Sequence, residues 1–306
     1  MHIPDGFVSL PVAATTGLLS ATAVGIALKH SQTELGLRRS PVLGLTTAFI
    51  FAAQMINFPV TGGTSGHLLG ATLAVIILGT PWAATLSITT VLLIQALLFA
   101  DGGISALGAN IFNMAIIGVW VGWILTKTLQ RLLGGSKKRL PLAGGIAAGI
   151  SVVAAAIACA IELALSGTAP TNLVLPAMTG IHILIGVGEG LITGGVISYI
   201  NIAQPDLLPG EEPQLNKWLV PIVTICLIAG MFSLFASALP DGLEWVAAQY
   251  NFKDKEAESL LISLFPDYKV PGLDENLGTS IAGIFGTAIS FAAAFGIAEI
   301  FKPKDV

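Results

Sequence analysis

Two histidines and the first residue of the chain have the types and spacing of a transition-metal chelate. The sequence begins Met1-His2, and His67 follows the glycine-rich stretch 61–66. The α-amine of Met1, the amide nitrogen that joins Met1 to His2 and Nδ1 of the His2 ring could bind one cation in fused rings. His67 could add a fourth nitrogen, because neutral imidazole is the commonest side-chain metal ligand.

Four nitrogen donors narrow the choice of metal. Ni²⁺ and Cu²⁺ accept nitrogens in a plane, whereas Zn²⁺ prefers a tetrahedron and Mg²⁺ and Ca²⁺ prefer oxygen. The chelate needs a free, uncleaved Met1, and a residue as bulky as His2 disfavours removal of the methionine. The segment 1–7 has no signal-peptide pattern either. The alternative is a structural role for these histidines at the membrane interface.

Other polar residues in or beside apolar segments could orient the ligands or line a metal pathway. His182 and Glu189 lie seven residues apart on one helical face, and ionisable groups inside a span default to function. They could equally fix helix packing through a buried hydrogen bond. Ligand imidazoles need hydrogen-bonding partners, and the further candidates for such supporting roles are Asn57, Ser65, Gln95, Asp101, Asn110 and Asn113.

The elements that position these residues must be membrane helices. Of 306 residues, 54% are hydrophobic and only 10% are charged, whereas a soluble domain has about 25% charged residues. This composition excludes a soluble enzyme, a disordered protein and a nucleic-acid binder. The net charge of −4 provides no basic field for polyanions. Cys159 and Cys226 offer no disulfide framework and no thiolate metal site.

Continuous apolar runs predict an all-α integral membrane protein with nine spans. A bilayer core of about 30 Å needs about 20 apolar residues in a helix. The third run is short, which indicates a half-length or tilted segment. A β-barrel would need alternating residues instead. The predicted spans are 10–28, 41–57, 68–80, 82–99, 108–127, 141–166, 176–201, 217–238 and 280–301.

Lysine and arginine placement predicts the orientation in the cell membrane. With Met1 outside, only Lys253, Lys255 and Lys269 lie outside, and the other 11 of the 14 basic residues lie in the cytoplasm. The N-terminus is therefore expected outside and the C-terminus inside. The cytoplasmic set is Lys29, Arg38, Arg39, Lys127, Arg131, Lys137, Lys138, Arg139, Lys217, Lys302 and Lys304.

The spacing of the spans predicts two domains and a linker. Residues 1–201 contain seven spans with the candidate ligands, the polar stretch 202–216 is the linker, and residues 217–306 contain a two-helix hairpin. Between those two helices lies an acidic outer segment, residues 239–279. This outer segment is either a solvated loop or a segment that gathers cations or caps a site.

Small residues at four-residue spacing mark the first and last spans. Such stripes let helix backbones approach closely, either within this chain or against a partner subunit. The stripe of the first span is Ala13, Gly17, Ala21 and Gly25, and that of the last is Ala282, Gly286, Ser290, Ala294 and Ala298.

Motifs typical of enzymes are missing from the sequence. There is no G-x-x-x-x-G-K-[ST], so the chain does not hydrolyse ATP in the P-loop manner. There is no H-E-x-x-H and no G-x-S-x-G. A channel would need polar positions repeated along several spans, whereas the polar residues here lie mainly at the outer ends. We therefore predict a carrier component and not an enzyme.

Several stretches of the sequence are recognisable together. They are residues 1–7, 62–70, 95–103, 108–114 and 182–189. These stretches, spread over about residues 1–201, resemble the CbiM/NikM family, the substrate-binding membrane subunits of energy-coupling factor (ECF) transporters for cobalt and nickel. The sequence Pro-Asp-Gly-Leu-Glu at 240–244 resembles the PDGLE domain of NikN-like components. The whole chain therefore resembles a NikMN-type fusion.

The resemblance implies both a site and an assembly. It implies Ni²⁺ or Co²⁺ as substrate, with no cofactor, held by Met1, His2 and His67. The implied partners are a transmembrane coupling subunit, which the Ala13–Gly25 stripe is a candidate to contact, and two cytoplasmic ATPases. We favour nickel, partly because the PDGLE-like part is fused to the chain. Cobalt uptake for cobalamin synthesis and an ATP-independent metal channel remain as alternatives.

Overall fold

The computed structural model describes residues 1–34, 40–209 and 219–301, and most of these residues are helical. Within this part of the chain, six helical stretches are long and apolar enough to cross a bilayer. The all-α membrane class is thereby confirmed. The six stretches are Leu10–Ser31, Pro81–Leu98, Leu107–Leu132, Lys137–Leu165, Thr171–Ala203 and Glu275–Ile300.

The number of helices of spanning length differs from the nine spans predicted. The predicted spans 41–57, 68–80 and 217–238 correspond to the shorter helices Ser40–Gln54, Ala71–Leu78 and Leu219–Phe235. The first of these ends at Gln54 because the chain then turns into a β-hairpin. The second is flanked by two glycines with positive φ.

The elements follow one another in chain order. The helices are α1 (Leu10–Glu34), α2 (Ser40–Gln54), α3 (Ala71–Leu78), α4 (Pro81–Leu98), α5 (Leu107–Asn110), α6 (Val119–Leu132), α7 (Leu140–Leu165), α8 (Thr171–Ala203), α9 (Leu219–Phe232), α10 (Gly242–Gln249) and α11 (Glu275–Ile300), with a π-helix at Ile111–Gly118 and an antiparallel hairpin of β1 (Phe58–Val60) and β2 (Thr64–Gly66).

Helix α3 is short because the chain enters and leaves it through left-handed backbone. Gly70 before it has φ +75° and Gly79 after it has φ +79°, conformations that favour glycine. All eight residues of α3 are buried by protein. The helix therefore lies inside the bundle, and its length need not match a bilayer.

The C-terminal helices pack on the first part of the chain as well as on each other. Ser280 on α11 donates from Oγ to the carbonyl of Gly230 on α9, at 2.8 Å. A Cβ at Gly286 of α11 would lie 2.2 Å from Cζ of Phe51 on α2. A third helix, α10, lies between them in the outer segment, where the sequence predicted only a loop.

The two stripes of small residues have different surroundings. In α11, Ala282, Gly286, Ser290 and Ala294 are all buried, so that stripe packs within the chain. In α1, Ala21 and Gly25 are exposed, while Ala13 and Gly17 are half-buried. The first stripe therefore leaves part of its face uncovered by the described part of the chain.

Some predictions concern residues outside the described ranges. Residues 210–216 of the predicted linker lie there. So do five of the basic residues used to orient the chain, namely Arg38, Arg39, Lys217, Lys302 and Lys304.

Candidate metal site

The N-terminal residues run into the protein and are held there by backbone hydrogen bonds. Asn110 binds both sides of Ile3: its Oδ1 accepts from the Ile3 amide at 2.8 Å, and its Nδ2 donates to the Ile3 carbonyl at 3.1 Å. That carbonyl also accepts from the Gly103 amide at 2.8 Å. Gly103 must be glycine, because a Cβ there would lie 2.2 Å from the Asp5 amide nitrogen.

The next residues, Asp5 and Gly6, contact both the first part of the chain and the outer segment. The carboxylate of Asp5 accepts from the amide and the hydroxyl of Ser105, at 2.7 and 2.6 Å. The Asp5 carbonyl accepts from Ala257 of the outer segment at 2.9 Å. Gly6 has φ +89°, and a Cβ there would lie 2.4 Å from the Lys255 carbonyl oxygen. The outer segment therefore covers the N-terminus closely.

The candidate ligands Met1, His2 and His67 meet in this buried position. The Met1 amine lies 2.8 Å from Nε2 of His67. The rings of His2 and His67 are stacked, with centroids 5.0 Å apart and planes 15° apart. All three residues are buried. The fold thus places the Met1 amine and the His2 ring beside the ring of His67, 66 positions from Met1 in sequence.

Two carboxylates hold the nitrogens of this cluster. Asp241 of the outer segment accepts from the Met1 ammonium at 2.7 Å, and Asp101 accepts from Nδ1 of His2 at 3.0 Å. The hydroxyl of Tyr268, also in the outer segment, donates to the second oxygen of Asp101 at 2.5 Å. Gln95 donates from Nε2 to that hydroxyl at 3.0 Å, so it is linked to the candidate ligand His2 through Tyr268 and Asp101.

The charges of the cluster keep the carboxylates of Asp101 and Asp241 ionised, and burial together with these charges keeps the His67 ring neutral. Burial, then the Met1 ammonium and His2, lowers the pKa of His67 to about 3. Burial raises the pKa of Asp241, but the Met1 ammonium, the Glu244 amide and His67 together outweigh burial and hold the pKa below the usual range. His2 and Tyr268 do the same to the pKa of Asp101. His67 therefore presents a neutral ring at pH 7, which is the form that binds metals.

Glu189 supports the segment that carries His67. Its two carboxylate oxygens accept from the amides of Leu69 and Gly70, at 2.6 and 3.0 Å. Nδ1 of His67 lies 3.1 Å from the carbonyl oxygen of Leu68, which leaves Nε2 facing the amine. Glu189 thus fixes the irregular stretch before α3 from a distance of 120 residues in sequence.

The β-hairpin attaches the outer segment to the cluster. Ser65 on β2 donates from its amide to the carbonyl of Pro240 and from Oγ to that of Leu239, both at 2.8 Å. The carbonyl of Asn57 accepts from the Ser237 amide at 2.8 Å. These bonds set Asp241, the next residue after Pro240, against the Met1 amine.

Two of the predicted supporting residues have partners away from the amine. Asn113, in the π-helix, donates from Nδ2 to Glu162 on α7 at 2.6 Å. His182 on α8 is buried, and its Nδ1 lies 2.7 Å from the carbonyl oxygen of Met178. Asn113 is therefore part of a separate polar pair, whereas His182 lines a small cavity of about 20 Å³ together with Met1 and His67.

An outer cavity of about 290 Å³ opens beside the cluster. The cavity is polar, because its lining includes the carboxylates of Asp101, Asp241 and Glu244 and the hydroxyl of Tyr268. Its lining includes His2, Asn57, His67, Asp101, Asp241, Glu244 and Tyr268.

Sequence reasoning missed Asp241 and Tyr268 as members of the site. Asp241 lies in the PDGLE stretch, where the sequence showed only an acidic segment. Its second role is structural: Oδ1 caps α10 by accepting from the amides of Leu243 and Glu244, both at 2.8 Å. The cap signal was readable in the sequence, but the pairing with an amine 240 residues away was not.

Side chains alone do not form a metal cluster in the part of the chain that the structure describes. Among these residues, no group of three or more His, Cys, Asp or Glu side chains is arranged to hold a metal.

Comparison with known sequences assigns the family. The profile of CbiM, the cobalt uptake substrate-specific transmembrane region, matches residues 2–207. The chain belongs to the CbiM family. This CbiM-family protein also matches the PDGLE domain over residues 216–303, so the resemblance to a fusion is confirmed.

Relatives of this CbiM-family protein are metal transport proteins, as predicted, and not enzymes. The putative fused nickel transport protein NikMN of Archaeoglobus fulgidus is 39% identical, over 97% of this chain and 98% of its own. The fused nickel transport protein NikMN of Rhodobacter capsulatus is 33% identical, over 82% and 77%. The cobalt transport protein CbiM of Geobacter sulfurreducens is 30% identical, over 76% and 70%.

A solved structure is also similar to this CbiM-family protein. It is described as a truncated transition metal transporter and is 38% identical, with a TM-score of 0.60. The match covers 66% of this chain and 98% of that one. The protein is thus a multi-pass membrane component of nickel or cobalt transport.

Proposed function

We propose that this protein is the substrate-binding component of an ATP-driven ECF importer for Ni²⁺ or Co²⁺. The metal binds at the outer face through the Met1 amine, the amide and ring nitrogens of His2 and the ring of His67. The observation that carries the proposal is the buried contact of 2.8 Å between the Met1 amine and Nε2 of His67.

That distance suits two neighbouring ligands of one metal. A metal–nitrogen bond is about 2.0 Å long, and two such bonds at a right angle place their nitrogens about 2.8 Å apart. The amine and His67 are therefore spaced as adjacent corners of a plane. The amide and Nδ1 of His2 would supply the other two corners.

Metal binding would replace the hydrogen bonds that now hold these nitrogens. The Met1 amine must release Asp241, and Nδ1 of His2 must release Asp101. The amine and the amide must also lose protons, so binding weakens as the pH falls. The two carboxylates then remain beside the cation, where their negative charge favours it.

The planar donor set favours nickel. Low-spin Ni²⁺ gains most from four nitrogens in a plane. Cobalt remains the second candidate, because the CbiM profile is that of cobalt uptake and a cobalt transport protein is among the relatives. An ATP-independent channel is the remaining alternative, and it predicts uptake without the ATPases.

The assembly follows from the same proposal. Residues 1–201 hold the metal, residues 217–306 are the auxiliary PDGLE part, and residues 202–216 link them. The N-terminus lies outside and the C-terminus in the cytoplasm. A transmembrane coupling subunit and two cytoplasmic ATPases drive reorientation and release, since the chain itself has no P-loop.

Titration of the purified protein in detergent with Ni²⁺, Co²⁺, Cu²⁺ and Zn²⁺ tests the metal site. We expect one tight site for Ni²⁺ or Co²⁺, with release of protons that is visible as a buffer-dependent heat of binding. Zn²⁺ should bind much more weakly because the planar donors do not suit it. A protein that binds none of the four metals would contradict the proposal.

Gly17 on α1 tests the contact with the coupling subunit. The Gly17 backbone is approached closely by Gly108, but a Cβ on Gly17 itself would meet nothing within 4 Å in the described part of the chain. We therefore expect Gly17→Leu to fold and to bind Ni²⁺ as the parent does, but to lose uptake in cells that contain all subunits. Ala14→Leu, on an exposed position of the same helix, is the matched control. Lost metal binding in Gly17→Leu would refute this contact.

A further inference from the structure

We propose that residues 259–265 of the outer segment insert their side chains into the lipid bilayer, on the side of the membrane where the Met1 amine lies. This stretch is called the apolar loop below. The inference goes beyond the proposed function, because it concerns how the outer segment is held at the membrane and does not depend on the metal. It is carried by the composition of the loop, by its exposure and by its depth beside two spanning helices.

The apolar loop lacks the charges that surround it. Its sequence is Ser-Leu-Leu-Ile-Ser-Leu-Phe. Five of the six residues before it, 253–258, are charged, and Asp267 and Lys269 follow it closely. Connecting segments in water are instead rich in Ser, Thr, Asn, Asp, Gly and Pro. The composition therefore indicates apolar surroundings for this stretch alone.

The large side chains of the apolar loop are not covered by the described part of the chain. Ile262 is fully exposed, and Leu260 and Leu264 are 65% and 61% exposed. Leu261 between them is exposed as well. Contiguous exposed apolar surface marks a site of contact with another protein or with a membrane. The loop thus needs an apolar partner outside this chain.

The end of the apolar loop is fixed to the end of a spanning helix. The Phe265 amide donates to the carbonyl of Leu98 at 2.9 Å, and the rings of Phe265 and Phe99 lie 5.7 Å apart. Leu98 is the last residue of the spanning stretch Pro81–Leu98, and the side chain of Leu97 is exposed. The exposed surface of the loop is therefore continuous with the exposed apolar surface of α4.

Helix α11 shows how deep this contact lies. The rings of Phe265 and Phe285 meet edge to face, with centroids 5.1 Å apart. Phe285 comes ten residues after Glu275, the first residue of α11, which is about 15 Å along the helix axis. The 26 residues of α11 are about 39 Å long, about 9 Å longer than a bilayer core of about 30 Å. For a helix along the bilayer normal, Phe285 thus lies at least about 6 Å inside the core, even if all the excess projects on this side.

The backbone of the loop is bonded in a way that suits this position. Non-helical backbone at membrane depth is tolerated only where other protein groups satisfy it. The deepest amide, that of Phe265, is bonded to Leu98. The Ser259 hydroxyl donates to the Leu261 carbonyl at 3.0 Å and accepts from the Leu261 amide at 3.4 Å. The leucine and isoleucine side chains can therefore enter the lipid while the loop backbone stays near the headgroups.

The bilayer is the partner that these contacts favour over a second protein. The charged stretch before the loop is held away from α4 and α11, because Lys255 donates from Nζ to the carbonyls of Gly167 and Thr168 between α7 and α8. Only the uncharged residues descend beside the spanning helices. A charged part in water next to an apolar part in the acyl boundary is typical of segments that lie in the membrane interface.

Insertion of the loop would also hold the residues that reach the metal site. The Asp267 amide donates to the carbonyl of Phe99 at 3.0 Å. Tyr268, the next residue, donates to Asp101 at 2.5 Å. The lipid contact and the contact with the site are therefore made by neighbouring parts of the same short stretch.

A spin label on the full chain in phosphatidylcholine vesicles tests the insertion. Ile262→Cys is made together with Cys159→Ala and Cys226→Ala, and the nitroxide is exposed to oxygen, which concentrates in lipid, and to chromium oxalate, which stays in water. We expect the label at 262 to collide mainly with oxygen and to lose most collisions with chromium oxalate. Thermal melting against the parent checks that the labelled protein folds.

Asp254→Cys in the same background is the matched control, because Asp254 is exposed and lies in the charged stretch of the same segment. A label there should collide mainly with chromium oxalate. If the label at 262 behaves as the label at 254 does, the loop is in water and the inference is overturned. Low collision rates with both reagents at 262 would overturn it too, because a second copy of the chain would then cover the loop. Neither result would affect the proposed metal site.

Discussion

Two glutamines inserted between Met1 and His2 are expected to abolish tight binding of Ni²⁺ and Co²⁺. Glutamine at position two is bulky enough to keep Met1, and the insertion moves the amine by two residues, about 7 Å of extended chain, so that the amine, one amide and the His2 ring no longer close fused chelate rings. Met1 is only 7% exposed, so the displaced amine has no room to return to His67. We expect the affinity to fall by more than about 100-fold, beyond the loss seen when a ligand's supporting partner is removed. Isothermal titration measures the change.

The control for this experiment is the same two glutamines inserted between Gly134 and Gly135. That turn after α6 is exposed, and a Cβ on either glycine would meet nothing within 4 Å in the described chain. This control should bind metal as the parent does, and thermal melting reports whether each insertion folds. If the N-terminal insertion folds and still binds with unchanged affinity, the metal is not held by the Met1–His2 chelate.

The class of fold was predictable because it depends on local sequence. Long apolar runs identify membrane helices whatever they pack against. In the proposed chelate His2 would act with its own neighbour in the chain, and the structure places Nε2 of His67 2.8 Å from the Met1 amine. Asn110, predicted to orient the ligand rings, lies beside this segment and binds the Ile3 backbone.

The number and lengths of the spans differ from the prediction where long-range contacts override local patterns. The apolar run at 68–80 predicts a short span, but the amides of Leu69 and Gly70 donate to Glu189 and Gly70 has φ +75°. Helix α3 then forms only after that point. Asn113 lies near the site in sequence, yet a neighbouring helix supplies Glu162 as its partner.

The position of the outer segment over the site was the least predictable feature. The acidic composition of residues 239–279 suggested either a solvated loop or a cap, and the structure brings Asp241 and Tyr268 from this segment to the Met1 amine and to Asp101. These contacts join positions about 170 to 240 residues apart. Periodicity and motif spacing carry no information about such pairs.

Asp241→Asn should loosen the contact between the outer segment and the N-terminus. The substitution removes one charge from the ion pair between Asp241 and the Met1 ammonium. The Met1 ammonium and Asp241 lie 2.7 Å apart, with side chains 6% and 15% exposed. Breaking a buried ion pair typically costs about 3 kcal/mol or more, because the remaining charge loses its partner. Asn keeps the cap of α10, since it is as good an N-cap residue as Asp, so the change isolates the effect of the charge.

Hydrogen exchange of the Ser65 amide measures this loss, because that amide donates to Pro240 of the outer segment. A loss of about 3 kcal/mol corresponds to about a 100-fold loss of protection. Since the pKa of Asp241 is below its usual value of 3.8, its contribution is complete at pH 7 and declines only as the pH falls below that value through the lowered pKa. Glu275→Gln, which breaks the exposed pair with Lys269, is the control and should change protection little. Equal, small effects of both variants at pH 7 would mean that the ion pair with Met1 does not hold the outer segment over the site.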